Sequence, residues 1–272
     1  MNLSRAQLEL LCDIAREAGA AIMAYYAGPV PVSHKADESP LTAADLSADA
    51  VIRQRLEAAF PGVFILSEES VSAEGAGEDA PFFLVDPLDG TKEFLHHNGE
   101  FTVNIALVHG TLMAGVVHAP ALDVTYSAAA GLGAFVQREN GPTKPIRISP
   151  RVPQKPLRML DSRSHTSEET KRWCEGLGHP CEVATLGSSL KFCLIAEGRA
   201  DLYPRFGPTS QWDTAAAQCV LECAGGQVVD LDGVPLRYAR NRAMINPHFV
   251  ALGDPALIDV VRERQSALRD KR

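Results

Sequence analysis

Residues 82–91 read Phe-Phe-Leu-Val-Asp-Pro-Leu-Asp-Gly-Thr, a short apolar run that passes directly into an acidic turn. The apolar run predicts a buried strand. The proline stiffens the turn and the glycine lets it bend, so the carboxylates of Asp86 and Asp89 and the carbonyl of Leu88 can converge on one point. Like charges held this close repel each other, and a hard divalent cation would relieve the repulsion. The alternative is an Asp-Pro turn whose carboxylates are simply solvated.

A second acidic pair follows the preceding apolar run. Residues 64–66 are Phe, Ile and Leu, a strand pattern, and Glu68 and Glu69 come shortly after them. Two strands that both end in carboxylates favour a shared cation site over two unrelated solvated turns.

Two amphipathic helices are predicted before these strands. Apolar residues recur at helical spacing between residues 8 and 22, and the Gly-Pro pair at 28–29 ends that pattern. A polar loop is expected from Ser33 to Pro40. The sequence Thr-Ala-Ala-Asp at 42–45 is a capping box that opens the second helix. A role in this capping box would by itself account for an aspartate at position 45.

The middle of the chain predicts an antiparallel meander. Four β-rich runs are separated by short turns, and they lie at 102–108, 112–118, 124–127 and 134–136. The proline-rich stretch 142–156 after them is the expected domain boundary.

The chain is therefore expected to divide into two domains. Residues 1–148 would form an α+β domain with the antiparallel sheet and most of the acidic candidates, and residues 149–272 an α/β domain. Asp213, at the start of a predicted helix, can be explained alone as an N-cap. The elements predicted in the second domain are helices after Thr166, at 188–197, at 213–224 and after Asp254, and a strand at 201–203.

The composition is that of an ordinary globular protein. The chain has 272 residues, 46% hydrophobic and 22% charged, which excludes wholesale disorder and a small disulfide scaffold. The 26 basic and 34 acidic residues give a net charge of −8, so no global basic field would attract a nucleic-acid polymer. The six cysteines show neither a CxxC pair nor zinc-ligand spacing, and we expect them to be reduced. No segment predicts a signal peptide or a transmembrane span.

Four segments, in this order along the chain, resemble the signature of the inositol monophosphatase superfamily. They are Asp45, the pair 68–69, the stretch 86–91 and Trp-Asp-Thr-Ala at 212–215. Members of this superfamily are magnesium-dependent and often lithium-sensitive phosphomonoesterases. Further segments resemble its bacterial 3′(2′),5′-bisphosphate nucleotidase branch, and these are 89–94, 98–104, 162–165, 187–192 and 196–216.

The resemblance implies a metal centre. Glu68, Asp86 and the Leu88 carbonyl would hold one magnesium ion. Asp86, Asp89 and Asp213 would hold a second, with Asp86 as the bridge. Two or three ions are expected, manganese could replace magnesium, and lithium would inhibit. The all-oxygen ligand set offers zinc or copper no soft donor.

The resemblance also implies which residues would act on the attacking water. Thr91, oriented by Asp45, would position or deprotonate it, and Glu68 is the third catalytic candidate. Thr91 could instead be a helix cap after the Gly90 turn.

A nucleotide with two phosphates leaves one of them outside the metal centre. His165, Lys191 and Arg205, together with Ser188, are the candidates to hold it, and Lys191 falls near a helix start where free N–H groups also favour an anion. Each of these residues could otherwise be a surface charge or a cap. The remaining expected substrate contacts are Glu68, Leu88, Asp89, Gly90, Thr91 and Asp213.

The fold that the resemblance implies is an α/β layered αβαβα sandwich with the metal site between its two halves. The implied reaction converts adenosine 3′,5′-bisphosphate to AMP and phosphate, or its sulfated form to adenosine 5′-phosphosulfate, in sulfate assimilation and nucleotide recycling. One alternative is an enzyme of the same architecture that acts on inositol or fructose phosphates. Another is a non-catalytic partner protein, although unneutralised carboxylates argue against it. The expected location is the cytoplasm, with contact to the inner membrane and the oligomeric state left open.

Overall fold

The computed structural model describes residues 3–28, 32–34, 40–69, 80–152, 155–164 and 168–269. Within these ranges the helices are α1 (Arg5–Tyr26), α2 (Ala43–Ala59), α3 (Thr91–Leu95), α4 (Glu168–Glu175), α5 (Leu190–Ala196), α6 (Gln211–Cys223) and α7 (Ile258–Arg269). The strands are β1 (Val32–His34), β2 (Pro40–Thr42), β3 (Phe64–Ser67), β4 (Phe82–Asp89), β5 (Thr102–His109), β6 (Thr111–Ala119), β7 (Val124–Ala129), β8 (Gly133–Arg138), β9 (Lys144–Ile146), β10 (Leu157–Ser162), β11 (Cys181–Leu186), β12 (Leu202–Arg205), β13 (Gln227–Asp230) and β14 (Phe249–Leu252).

The first sheet has seven strands in the order β3-β4-β5-β6-β7-β8-β9. β3 and β4 run parallel, and every later neighbouring pair is antiparallel. The predicted meander is confirmed. Its last strand, β9, lies inside the proline-rich stretch, where no strand was predicted. Because β9 is at the sheet edge, Pro145 can lie in it without breaking a central hydrogen-bond ladder.

The second sheet has five strands in the order β11-β10-β12-β14-β13. β10 pairs in parallel with β11 and β12, while β14 is antiparallel to its neighbours β12 and β13. Of these five strands, the sequence predicts only β12, and the predicted strand begins one residue before the observed one. The first sheet ends at Ile146 and the second begins at Leu157, and the domain division at 148/149 stays a prediction.

In the part of the chain that the structure describes, the helices and sheets form five layers that pack around three hydrophobic cores. α1 and α2 pack on one face of the first sheet, where Ile52 contacts the core around Phe83. α5 and α6 lie between the sheets. α4 and α7 cover the outer face of the second sheet, with Trp173 and Val261 in its core. The layer order is αβαβα, so the predicted sandwich is confirmed.

Alternation along β4 directs its side chains into two of these cores. Phe83 and Val85 belong to the core under α1 and α2, whereas Phe82 and Leu84 belong to the core under α5 and α6. Because both faces of the strand are covered, the run 82–85 is continuously apolar.

The N-terminal predictions need one correction. α1 and α2 form as predicted, but residues 32–34 pair with residues 40–42 as a two-stranded antiparallel ribbon, so the polar loop from Ser33 to Pro40 is wrong at its ends. Residues 35–39 lie outside the described ranges. Of the helices described, none combines the length and the apolar character needed to cross a bilayer. The six cysteines are all free.

Helix α6 lies directly on β6 at Gly115. A Cβ built at this glycine would lie 2.3 Å from the carbonyl oxygen of Ala216 and 2.7 Å from the Cβ of Cys219. No side chain fits at this contact. The missing side chain therefore sets the depth at which α6, including Asp213 near its N-terminus, lies over the first sheet.

We expect Gly115→Ala to lower the free energy of unfolding by about 1–3 kcal/mol, because overpacking a filled core displaces backbone. Gly28→Ala is the matched control, since a Cβ there meets nothing within 4 Å among the residues that the structure describes, and its effect should stay within about 0.5 kcal/mol. Chemical denaturation of both variants and the wild type measures the difference. A Gly115→Ala protein as stable as the wild type would contradict the close approach.

Candidate active site

Parallel pairing of β3 with β4 brings the first two acidic residues side by side. Ser67 lies opposite Val85 in the register, and the Glu68 N–H donates to the Val85 carbonyl at 3.1 Å. Glu68 and Asp86 therefore lie side by side at the same end of these two strands. Asp86 is buried, and its Oδ1 accepts a hydrogen bond from the Leu88 N–H at 3.1 Å, which closes the turn.

An irregularity in β4 turns Asp89 toward the same cavity as Asp86. Residues three apart in a regular strand point to opposite faces. Asp86 pairs with Asn104 but Asp89 pairs with Thr102, so β4 carries one extra residue at this point. The bulge resets the alternation, and both carboxylates line one cavity.

Three donors hold one oxygen of Asp89. Its Oδ2 accepts from the Ser189 N–H at 2.6 Å, from Asn104 Nδ2 at 3.3 Å and from Thr102 Oγ1 at 3.4 Å. Burial raises the pKa of Asp89 above its ordinary value, although Lys191 and the hydrogen bonds work in the opposite direction. The hydrogen bonds thus fix the orientation of the Asp89 carboxylate, but they and Lys191 do not fully offset the cost of burying its negative charge.

Helix α6 supplies a further carboxylate. Asp213 Oδ2 accepts from the Ser210 N–H at 2.8 Å, so Ser210 is the N-cap and Asp213 lies in the first turn of a capping box. The N-cap interpretation of Asp213 is therefore wrong, and the helix begins at Gln211. Burial, with repulsion from Asp89 and Glu68, raises the pKa of Asp213 well above its ordinary value.

These acidic side chains form a candidate metal centre. One carboxylate oxygen each from Glu68, Asp86 and Asp213 lie within 4.8 Å of one another. Carboxylate oxygens are hard donors that suit magnesium or manganese. The repulsion that raises the pKa of Asp213 is the imbalance that a divalent cation would relieve, so these residues fit a metal. Leu88 and Asp89 line the same cavity, and their part in coordination stays a prediction.

Asp45 caps a helix and contacts the site at the same time. Its Oδ2 accepts from the N–H of Thr42 at 2.8 Å and from the Thr42 hydroxyl at 2.5 Å, which confirms the predicted capping box. Its Oδ1 lies 3.4 Å from Thr91 Oγ1, which also lies 3.4 Å from the Leu88 carbonyl oxygen. Thr91 makes no capping hydrogen bond, because the N-cap of α3 is Gly90 with φ 95°. The capping interpretation of Thr91 is wrong.

The cavity, about 510 Å³ in volume, also contains two buried cations. Lys191 is 4% exposed and Arg205 is 7% exposed, so the surface-charge interpretation of both is wrong. Lys191 Nζ donates to the Leu186 carbonyl at 3.0 Å and to the Ser188 carbonyl at 2.5 Å. Burial lowers the pKa of Lys191 to about 8.

Arg205 is only partly satisfied by protein. One Nη2 hydrogen bond goes to the Pro208 carbonyl at 3.1 Å. Its buried Nε has no hydrogen-bond partner among the residues that the structure describes. A buried donor without a partner is destabilising, which makes this part of the cavity suited to an anion.

All the predicted substrate residues that lie in the described ranges line this cavity. They are Glu68, Leu88, Asp89, Gly90, Thr91, Ser188, Lys191, Arg205 and Asp213. His165 lies outside those ranges. Other residues that line the cavity were not predicted. They include Lys92 and Glu93, which lie in the segment 89–94, and Ile245, which no local sequence pattern indicates.

The chain is similar over nearly its whole length to known proteins. Residues 5–265 match the model of the Inositol monophosphatase family. The 3′(2′),5′-bisphosphate nucleotidase CysQ of Escherichia coli (strain K12) is 48% identical over 246 residues, which cover 89% of this chain and 98% of that protein. The protein of the same name from Buchnera aphidicola is 42% identical over 256 residues, 92% of this chain and 95% of that protein.

Solved structures share the architecture. CysQ from Bacteroides thetaiotaomicron has a TM-score of 0.76 at 34% identity, covering 92% of this chain and 97% of that one. The Thermotoga maritima IMPase has a TM-score of 0.80 at 25% identity, covering 97% and 99%. With a family match over nearly its whole length and relatives this similar, the chain belongs to the inositol monophosphatase family.

Proposed function

We propose that this chain is a magnesium-dependent 3′(2′),5′-bisphosphate nucleotidase that hydrolyses adenosine 3′,5′-bisphosphate to AMP and phosphate. The observation that carries the proposal is that one cavity holds both a carboxylate cluster suited to a divalent cation and two buried cations. The first suits the phosphate that is cleaved, and the second suits a phosphate that is retained. The similarity to the CysQ nucleotidases supports the same substrate.

The carboxylates would hold the metal. Glu68, Asp86 and Asp213 are the proposed ligands, joined by Asp89 and the Leu88 carbonyl. Magnesium, or manganese in its place, would neutralise charge on the phosphoryl oxygens and activate water for in-line attack. Two or three ions are expected in the site, and lithium is expected to inhibit.

Thr91 and Asp45 would accept the proton from the attacking water. The Thr91 hydroxyl can donate to Asp45 Oδ1 while its lone pairs accept from the water. Because Asp45 Oδ2 is already held by Thr42, Oδ1 is the oxygen that would take the proton. Glu68, at the same cavity wall, is the third catalytic candidate.

Arg205 and Lys191 would hold the retained 5′-phosphate. The Nε of Arg205 offers a donor with no partner among the described residues. An ammonium group has three hydrogens. Two carbonyls accept hydrogen bonds from Lys191, and its Nζ also lies 5.1 Å from the centroid of the Tyr203 ring, so the third hydrogen could turn to a ligand. Ser188 lines the same cavity, and His165 remains a candidate.

The proposal extends to related substrates and to the place of the reaction. The sulfated nucleotide, 3′-phosphoadenosine 5′-phosphosulfate, carries the same two anionic ends and is a second expected substrate. The enzyme would clear a by-product of sulfate assimilation in the cytoplasm, with any contact to the inner membrane being peripheral. Inositol and fructose phosphates are the competing substrates, and a phosphate-release panel distinguishes them.

Replacement of the proposed bridging ligand tests the metal centre. We expect Asp86→Asn to lose nearly all activity, while the metal-free protein keeps or gains stability because repulsion is relieved. Turnover measured against magnesium concentration, and thermal unfolding in EDTA, give the two readouts. Asp259→Asn, which changes an exposed carboxylate on α7, is the control. Activity that persists in EDTA, or an active Asp86→Asn enzyme, would overturn the metal assignment.

Asp45→Asn separates the proposed base from its place in the capping box, because the amide oxygen of asparagine can still accept the hydrogen bonds from Thr42. We expect it, like Thr91→Val, to lower kcat by on the order of 10²- to 10⁴-fold with KM little changed. Steady-state kinetics at saturating magnesium measures both constants, and thermal unfolding checks the cap. If both variants instead mainly raised KM or the magnesium requirement, the two residues would be structural.

Loss of a buried cation should act on the retained phosphate. A charge-assisted hydrogen bond contributes about 1.5–3 kcal/mol, so Arg205→Ala and Lys191→Ala should lower kcat/KM for the bisphosphate roughly 10- to 150-fold. The rate on 3′-AMP should change little. Arg199→Ala, at an exposed arginine, is the control. Equal losses on both substrates would place the cations elsewhere, and a wild-type preference for inositol 1-phosphate would contradict the substrate assignment.

A further inference from the structure

A carboxylate with no part in the proposed chemistry holds the turn at 187–189, which contains Ser188 and leads into α5, where Lys191 lies. Glu100 lies just before β5, and its Oε2 accepts from the Gly187 N–H at 2.7 Å. Arg163, which follows β10, donates Nε to the same oxygen and Nη2 to Oε1, each at 2.6 Å. Glu100 therefore joins the first sheet to two segments of the second.

Arg163 extends this connection to the end of β11. Its N–H donates to the Leu186 carbonyl at 3.2 Å, and its Nη2 also donates to the Thr185 carbonyl at 3.1 Å. Three segments that the sequence analysis singled out, 98–104, 162–165 and 187–192, thus meet at one ion pair. Neither charged partner of that pair has a role in the proposed reaction.

The turn between the two sheets has little freedom to move. A Cβ at Gly187 would lie 2.6 Å from Glu93 Cγ and 2.7 Å from the Glu100 carbonyl oxygen. At the other end, the Ser189 N–H donates to Asp89 at 2.6 Å. Ser188 between them has φ 49°, a left-handed conformation that is unfavourable for a non-glycine residue. Such strain persists where surrounding contacts impose it.

The electrostatics favour the ionised form of Glu100 and hence the ion pair. Burial acts to raise the pKa of Glu100, but the hydrogen bonds from Arg163 and Gly187 outweigh it and lower that pKa below its ordinary value. The side chain of Glu100 is 15% exposed. A bidentate Arg–carboxylate pair also fixes orientation better than a single contact does.

We propose that Glu100 and Arg163 form a latch that sets the distance of Ser188 and Lys191 from the carboxylate cluster, and hence the span between the cleaved and the retained phosphate. The latch rests on the proposed function, and its two members are positioning residues. With the latch broken, the carboxylate end would still accept a monophosphate. The second phosphate would then meet a turn that is no longer held in place.

Arg163→Ala and Glu100→Gln test the latch by kinetics on adenosine 3′,5′-bisphosphate and on 3′-AMP. Glutamine keeps an acceptor for the Gly187 N–H and removes the charge. Because a turn that is no longer held would weaken the charge-assisted contacts to the second phosphate, we expect KM for the bisphosphate to rise on the order of 10-fold or more. The kcat and the 3′-AMP kinetics should be unchanged. The double variant should be no worse than the worse single variant, since both break one unit.

Arg158→Ala is the matched control. Arg158 forms a comparable ion pair with Asp201, Nη2 to Oδ1 at 2.5 Å, with side chains 39% and 7% exposed. Neither residue lines the cavity. This variant should lose stability with no change in substrate preference.

Hydrogen–deuterium exchange of the amides at 186–192 gives a readout that does not depend on substrate. Exchange should accelerate in Arg163→Ala and stay at the wild-type rate in Arg158→Ala. Unchanged exchange in Arg163→Ala would overturn the latch. Faster exchange with equal losses on both nucleotides, or with none, would overturn its role in setting the phosphate span. A wild-type enzyme inactive on the bisphosphate would overturn the proposed function and that span, whereas faster exchange would still support the latch itself.

Discussion

Electrostatic repulsion among Glu68, Asp86, Asp89 and Asp213 is the force that the rest of the structure has to resist. Burial and the acidic neighbours Asp89 and Glu68 raise the pKa of Asp213 well above its ordinary value, so the cluster opposes full ionisation of its carboxyl groups. The carboxylates cannot separate, because each is attached to an element whose position is fixed by apolar packing. A one-residue slip of β4 would exchange the side chains of its two buried faces. α6 cannot move toward β6, because its backbone already touches Gly115.

The carboxylates and the buried cations of the cavity are connected through the turn at 187–189. Ser189 donates its N–H to Asp89 at one side of the turn, and Gly187 donates to Glu100 at the other. The turn that leads into α5 and Lys191 is thereby held by the same sheet that holds the acidic residues. A substrate with charges at both ends would meet a rigid pair of sites, which favours binding by reducing the entropy lost on ordering.

The sequence predicted most of the first sheet because its signals are local. The run 82–85 and the capping box at 42–45 are each four residues long, and short turns join the strands of the meander. β11 was missed because four of its six side chains are exposed and show no alternation. The burial of Lys191 and Arg205 follows from layers that meet only in the folded chain. Glu100 and Arg163 are 63 positions apart, and nothing in either local segment indicates that they pair.

Asp45 holds the first turn of α2 with one oxygen and faces Thr91 with the other. The ends of helices open more readily than their centres, and at a lower free energy than the whole protein unfolds. Opening of that single turn would withdraw the carboxylate from the hydroxyl while both sheets remained folded. If Asp45 accepts the proton as proposed, activity would be lost on warming at a lower temperature than that at which the protein unfolds, and the stability of one helix end would set the temperature limit of catalysis.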